Sequence, residues 1–216
     1  MKIQHVSCLA TNLDAMKRFY TGPLQMPLVE EGADHFTVQV GASALTYRRT
    51  EQPAFYHLAF LLAPEAFEGM KARLAQAPGL LADTDGATLF TSGQWKANHF
   101  YFEDPDRNIL EILGTTAGEA TAAPWARVGE VGLPVPNLRQ FITRIAHLVP
   151  TELPGESETF QFYGNAHGVL VLVRENRPWF PTDRGATAHD IEVVLEGAEE
   201  GAVQVGPVTL RSTAGA

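Results

Sequence analysis

Two histidines and one glutamate carry the chemistry that stands out in this sequence: His5, His57 and Glu111. Each falls in a stretch that alternates like a strand, Ile3 to Ala10, Phe55 to Leu62 and Asn108 to Leu113. Parity sorts their side chains. Ile3, His5, Ser7 and Leu9 share one face; Phe55, His57, Ala59 and Leu61 share another; Ile109, Glu111 and Leu113 a third. The opposite face of the second stretch, Tyr56, Leu58, Phe60 and Leu62, is uniformly large and apolar, as a helix-covered face should be. His57 therefore looks the other way. Two imidazoles and a carboxylate on three rigid strands make a nitrogen and oxygen set for a divalent metal, with positions left open for substrate oxygens or water. A carboxylate in a strand as apolar as that of Glu111 is costly to bury without a cation.

These strands belong to a repeat. The first runs into a helix capped by Thr11 or Asn12, with Leu13, Met16 and Tyr20 as its apolar stripe, and Gly22-Pro23 ends it. Strands are expected over 28–31, 35–40 and 42–48. The order then restarts with Phe55 to Leu62, a helix from Pro64 through Phe67, Met70 and Leu74, and strands at 88–92, 99–102 and 108–113. A small-residue linker, 115–124, reads as a boundary. A third copy opens at Val128, and Asn137-Leu138 holds the place that Asn12-Leu13 holds in the first. Strands over 160–163, 169–173 and 188–195 and a weak last one over 202–210 complete the chain. The expected fold is α+β: tandem βαβββ units whose mixed sheets curl into a half-open cup. Residues 1–114 would pair as the metal-site domain, and 125–216 would form a divergent third unit with degenerate C-terminal strands.

At these residues the sequence resembles the vicinal oxygen chelate superfamily, which includes glyoxalase I, extradiol dioxygenases, fosfomycin-resistance enzymes and bleomycin-resistance proteins. The resemblance rests on His5, on His57 in the equivalent strand, and on the segment Tyr101-Phe102-Glu103-Asp104-Pro105-Asp106-Arg107-Asn108-Ile109-Leu110-Glu111. That segment is similar to an aromatic-x-x-Asp-Pro-Asp-Gly-Asn-x-x-Glu signature, with Arg107 in place of the usual glycine. The resemblance implies one divalent ion, Fe, Mn, Zn or Ni, on His5, His57 and Glu111. It implies a small-molecule substrate bound through neighbouring oxygens, with Tyr101 and His99 orienting it or moving protons. Ala44 stands where glyoxalase I-like proteins place a second carboxylate. Ala42 and Ser43 stand where extradiol dioxygenases carry a further histidine. The expected activity is a metal-dependent lyase or isomerase, or a ring-cleavage dioxygenase. The alternative is a bleomycin-resistance-like cup that binds a ligand without metal and without catalysis. Glu130 stands in the third unit where His5 stands in the first, so that unit is expected to lack the ligand set and to act as scaffold or lid.

Other residues complete the expected site. Ser7 shares the His5 face, Arg48 is placed to meet an anionic group at the cup mouth, and Trp95 rims the cavity in the loop before His99. The balance of 16 basic against 25 acidic residues, a net charge of −9, argues against nucleic acid, which needs clustered Lys and Arg. No apolar run reaches the roughly 18 residues of a membrane span. The single cysteine, Cys8, excludes an internal disulfide and a thiolate-rich metal site. With no signal-like N-terminal segment, a cytoplasmic location is expected. Units of this superfamily pair within or between chains, so a homodimer is a further expectation.

Overall fold

The computed structural model describes residues 1–115, 124–149, 151–153 and 157–214. Most of the linker, 116–123, lies outside them. The first unit comprises β1 (Lys2–Ala10), α1 (Leu13–Thr21), β2 (Leu28–Glu31), β3 (His35–Val40) and β4 (Ser43–Arg49). The second comprises β5 (His57–Leu62), α2 (Pro64–Gln76), β6 (Leu80–Leu81), β7 (Phe90–Ser92), β8 (Ala97–Glu103) and β9 (Ile109–Gly114). The third comprises β10 (Trp125–Val135), α3 (Leu138–Ile145), β11 (Phe160–Asn165) and β12 (Gly168–Arg174). The last three strands, β13 (Ile191–Gly197), β14 (Gly201–Val205) and β15 (Val208–Ala214), form a fourth unit without a described helix. The Asn-Leu pairs are helix starts: the Asn12 side chain accepts from the amide of Ala15, and the Asn137 side chain from that of Gln140.

The units join as two sheets. Strands run β14-β15-β13-β1-β4-β3-β2 in a seven-stranded sheet and β11-β12-β10-β5-β9-β8-β6 in an eight-stranded one, with β7 added to β8. The sequence expectation paired the first unit with the second. The sheet order instead pairs the second with the third and wraps the first against the fourth. Alternation fixes which face a side chain takes, not which edge its strand offers, so parity alone is silent on this choice.

The faces divide as the alternation reads. Tyr56, Leu58, Phe60 and Leu62 of the β5 segment enter one continuous core that also takes residues from both sheets and all three described helices. Ala59 and Leu61 enter a second cluster with Trp95, Tyr101, Ile109, Val171 and Trp179, on the concave face of the eight-stranded sheet. Buried polar bridges fasten one sheet to the other. Ser43 Oγ donates to the Ile3 carbonyl (2.6 Å) and accepts from the Val128 amide (3.1 Å). Tyr56 Oη accepts from the Leu9 amide and donates to the Asp190 carbonyl.

The signature segment forms the turn that launches β9. The Asp104 carboxylate accepts from the amides of Asp106 and Asn108, from Asn108 Nδ2 (2.7 Å) and from Tyr20 Oη (3.0 Å). Asn108 Oδ1 in turn accepts from the Tyr56 amide (2.8 Å), so the turn is tied to the segment leading into β5. Arg107 has a φ of 64°, the left-handed region, which explains why a glycine suits this position. Burial pushes Asp104 up to about 7, against the hydrogen bonds from Asn108 and Tyr20 that favour its charged form. The native state thus keeps a proton that the unfolded chain releases near pH 4. Between about pH 4 and 7 the stability contribution of Asp104 should fall as pH rises, by at most about 1.4 kcal/mol per pH unit. Urea unfolding across that range should show this limb, and Asp104→Asn should flatten it.

Candidate metal centre

β5 is the axis of the site. It pairs in parallel with β9, setting Ala59 beside Glu111, and antiparallel with β10, setting Ala59 beside Glu130. The two carboxylates therefore reach inward from the flanking strands over a methyl group. His57 stands two residues earlier on the same face. All three side chains are buried, and one ligand atom from each lies within 4.8 Å of the others. His57 Nε2 is 3.7 Å from Glu111 Oε2 and 3.9 Å from Glu130 Oε2.

Each ligand is held from behind. His57 Nδ1 donates to the Ile109 carbonyl (3.1 Å), which turns Nε2 toward the carboxylates. Glu130 Oε1 accepts from the Trp95 indole, while its Oε2 faces His57. Glu111 Oε1 lies 2.6 Å from His99 Nδ1, out of line for a hydrogen bond, while its Oε2 faces His57. Tyr101 also hydrogen-bonds Glu111. Burial opposes charge on His57, but Glu130 and Glu111 outweigh it and raise its pKa above the ordinary histidine value. Burial and the Glu111 charge raise Glu130, against its hydrogen bond with His57. Burial and both carboxylates keep Tyr101 protonated.

The structure brings His57, Glu111, His99, Tyr101 and Trp95 together. Trp95 is buried and holds Glu130 rather than standing at the rim. It does not bring in His5, Ser7 or Arg48. These lie in the seven-stranded sheet, where His5 Nε2 bonds Thr46 Oγ1 (2.8 Å) and Arg48 Nε bonds Ser7 Oγ (3.0 Å). The expected cluster is corrected accordingly: Glu130 stands beside His57 and Glu111 where His5 was expected, so the third unit contributes a side chain to the cluster.

The registers explain the substitution. In the eight-stranded sheet Ala59 faces Glu111 and Glu130, and Gly132 pairs with Val171. In the seven-stranded sheet Ser7 faces Thr46 and Glu192, and Val194 pairs with Arg211. Hence His57, Glu111, Glu130 and Val171 in one sheet match His5, Thr46, Glu192 and Arg211 in the other. The second constellation has lost a carboxylate to Thr46. Arg211 fills the fourth position and pairs with Glu192 at 2.5 Å. The signal for Glu130 was therefore present: it occupies the first-strand position of its unit that His5 and His57 occupy in theirs.

A cavity of about 290 Å³ opens over the centre, walled by Phe160, Phe162, Trp179 and Phe180 among others. The Trp179 ring lies 4.9 Å from that of His57. Gly132 makes this approach possible: a Cβ there would stand 2.7 Å from the Trp179 ring and 2.9 Å from the His57 Cβ.

Among solved structures the chain is similar over 98% of its length to a protein of Bacillus subtilis subsp. subtilis str. 168 described as a candidate dioxygenase. The TM-score is 0.68 at 17% identity, with 84% of that chain covered. It is likewise similar over 98% of its length to a variant of glyoxalase I from Zea mays, with a TM-score of 0.59 at 12% identity and 92% of that chain covered. No family model and no curated protein matches the sequence. The likeness is one of architecture: the chain has the vicinal oxygen chelate fold. No helix among the described residues is long and apolar enough to cross a membrane.

Gly132→Ala should cost about 1–3 kcal/mol in urea unfolding, the usual penalty for overpacking a filled site. Trp179 emission should shift to longer wavelength as the indole is lifted off His57.

Proposed function

We propose that the protein is a metalloenzyme of the glyoxalase and ring-cleavage dioxygenase type, with one divalent ion held by His57, Glu111 and Glu130. The observation that carries this is two buried carboxylates converging on an imidazole nitrogen whose other nitrogen is already committed. Like charges in a desolvated site repel, and the set suits Fe, Mn, Zn or Ni through nitrogen and oxygen ligands. The orphaned His99 Nδ1, 2.6 Å from Glu111 Oε1, fits the same reading, because a metal-holding carboxylate would use a hydrogen-bonding partner on its other oxygen.

When bound, the ion supplies Lewis acidity toward two neighbouring oxygens of a small substrate. The chain supplies the rest. Glu130 is fixed through its outer oxygen by Trp95, and Glu111 is hydrogen-bonded by Tyr101, so the two carboxylates keep a set position. His99 is the group placed to hold or pass a proton at Glu111 Oε1. Phe160, Phe162 and Trp179 exclude water from the space above the centre. Val171, where a fourth ligand would stand, keeps that side open. The identity of the ion selects between acid–base and oxygen chemistry.

Elemental analysis of protein purified without an affinity tag should give about one ion per chain. A saturating ion at 100 times its Kd should add about 2.7 kcal/mol, a rise of about 5–10 °C in Tm. His57→Ala and Glu130→Gln should abolish both effects, and His5→Ala should leave them intact. No metal in any preparation, and no thermal response to added ions, would return the cup to the metal-free binding alternative. The register match makes a converse test. Thr46→Glu with Arg211→Val gives the seven-stranded sheet the same four residue types as the centre, and the metal content should rise toward two per chain.

A further inference from the structure

The cavity over the centre has one strongly basic side chain in its lining, Arg177. Its backbone is pinned. The Arg177 amide donates to the Arg174 carbonyl, and its own carbonyl accepts from Ala186, inside a tight loop whose Trp179 amide bonds the Arg184 carbonyl. Its guanidinium lies over the Phe160 ring, with Cζ 4.6 Å from the centroid. That contact orients the group without neutralising it. Its guanidinium makes one long hydrogen bond, 3.4 Å to the neighbouring Pro178 carbonyl, and among the described residues no carboxylate pairs with it. Elsewhere in the same loop the arrangement differs: Arg184 is bound to Glu103 at 2.6 Å and to the Arg107 carbonyl at 2.7 Å.

An arginine held by stacking, half-buried at a cavity wall and left without a carboxylate in a chain of net charge −9, is a donor in search of an anion. Glu111 and Glu130 are committed to the floor, hydrogen-bonded by Tyr101 and Trp95. We propose that Arg177 is an anion anchor: the substrate presents its neighbouring oxygens to the floor of the cavity and a carboxylate, or an equivalent anionic group, to Arg177. This rests on the metal centre proposed above and names the substrate class for it, small anions with a two-oxygen chelating end. Phe160, Phe162 and Phe180 line the same cavity and favour an apolar middle section.

Two probes separate the claims. Benzohydroxamate chelates through two oxygens and is otherwise apolar; 4-carboxybenzohydroxamate adds only the anion. Calorimetric titration of each into the zinc-loaded full-length protein should show the carboxylated probe binding about tenfold or more tightly, the range of a charge-assisted hydrogen bond. Arg177→Ala should bring the two affinities together by weakening the carboxylated probe alone. Arg177→Lys should restore part of the preference, because it keeps the charge and loses the planar fork. Equal affinities in the wild type, or a preference that survives Arg177→Ala, would overturn the anchor while zinc retention left the metal centre standing. Failure of the protein to retain zinc would overturn the metal centre, and the anchor as stated with it.

Discussion

The site depends on one constraint: β5 is buried on both faces and paired along both edges. Its Tyr56, Leu58, Phe60 and Leu62 face is fixed by the inter-sheet core, and its edges are fixed by β9 and β10. A one-residue slip in either pairing would drive Glu111 or Glu130 from the cavity into hydrocarbon, at a cost of several kcal/mol for a buried unpaired charge. Register and ligand geometry are thus enforced together. The core does not merely support the site; it decides which side chains converge there.

The same constraint accounts for how much was legible in the sequence. The strands, the helix caps at Asn12 and Asn137 and the Asp104 turn all announce themselves locally, through alternation, periodicity and turn chemistry. His57 and Glu111 could be read as facing one cavity because they belong to one unit. His5 and Glu130 compete for a place beside them, and the competition is settled by an edge-to-edge pairing about which local pattern is silent. His5 is the residue that strand parity and the resemblance point to, yet its sheet holds Thr46 and Arg211 at the positions matching Glu111 and Val171. Trp95 was misread for a related reason. An indole in a loop looks like a rim, and only the fold shows its N–H turned inward to Glu130.

The two sheets solve one electrostatic problem in different ways. In the seven-stranded sheet, a glutamate at the ligand position is balanced by a guanidinium from the same sheet, and the pair sits in partial contact with solvent. In the eight-stranded sheet, two glutamates are sealed beneath an aromatic wall with a single histidine between them. The first arrangement is self-contained. The second gathers two carboxylates around one imidazole with no guanidinium or ammonium among them, and that difference sets it apart from the other sheet built on the same plan.

Gly132 carries a consequence beyond the contact it permits. The strand around it reads Val131-Gly132-Leu133, and every other demand on an interior strand favours a β-branched or aromatic residue at its middle. Glycine there weakens the strand locally and raises the entropy lost on folding. The chain accepts this conflict between local preference and tertiary arrangement in the strand that carries Glu130. β10 is therefore a frustrated element at the centre of a well-determined sheet. Its amides near Gly132 should open to solvent through smaller fluctuations than those of β5 beside it, and the weakest backbone in the sheet lies next to the most demanding chemistry.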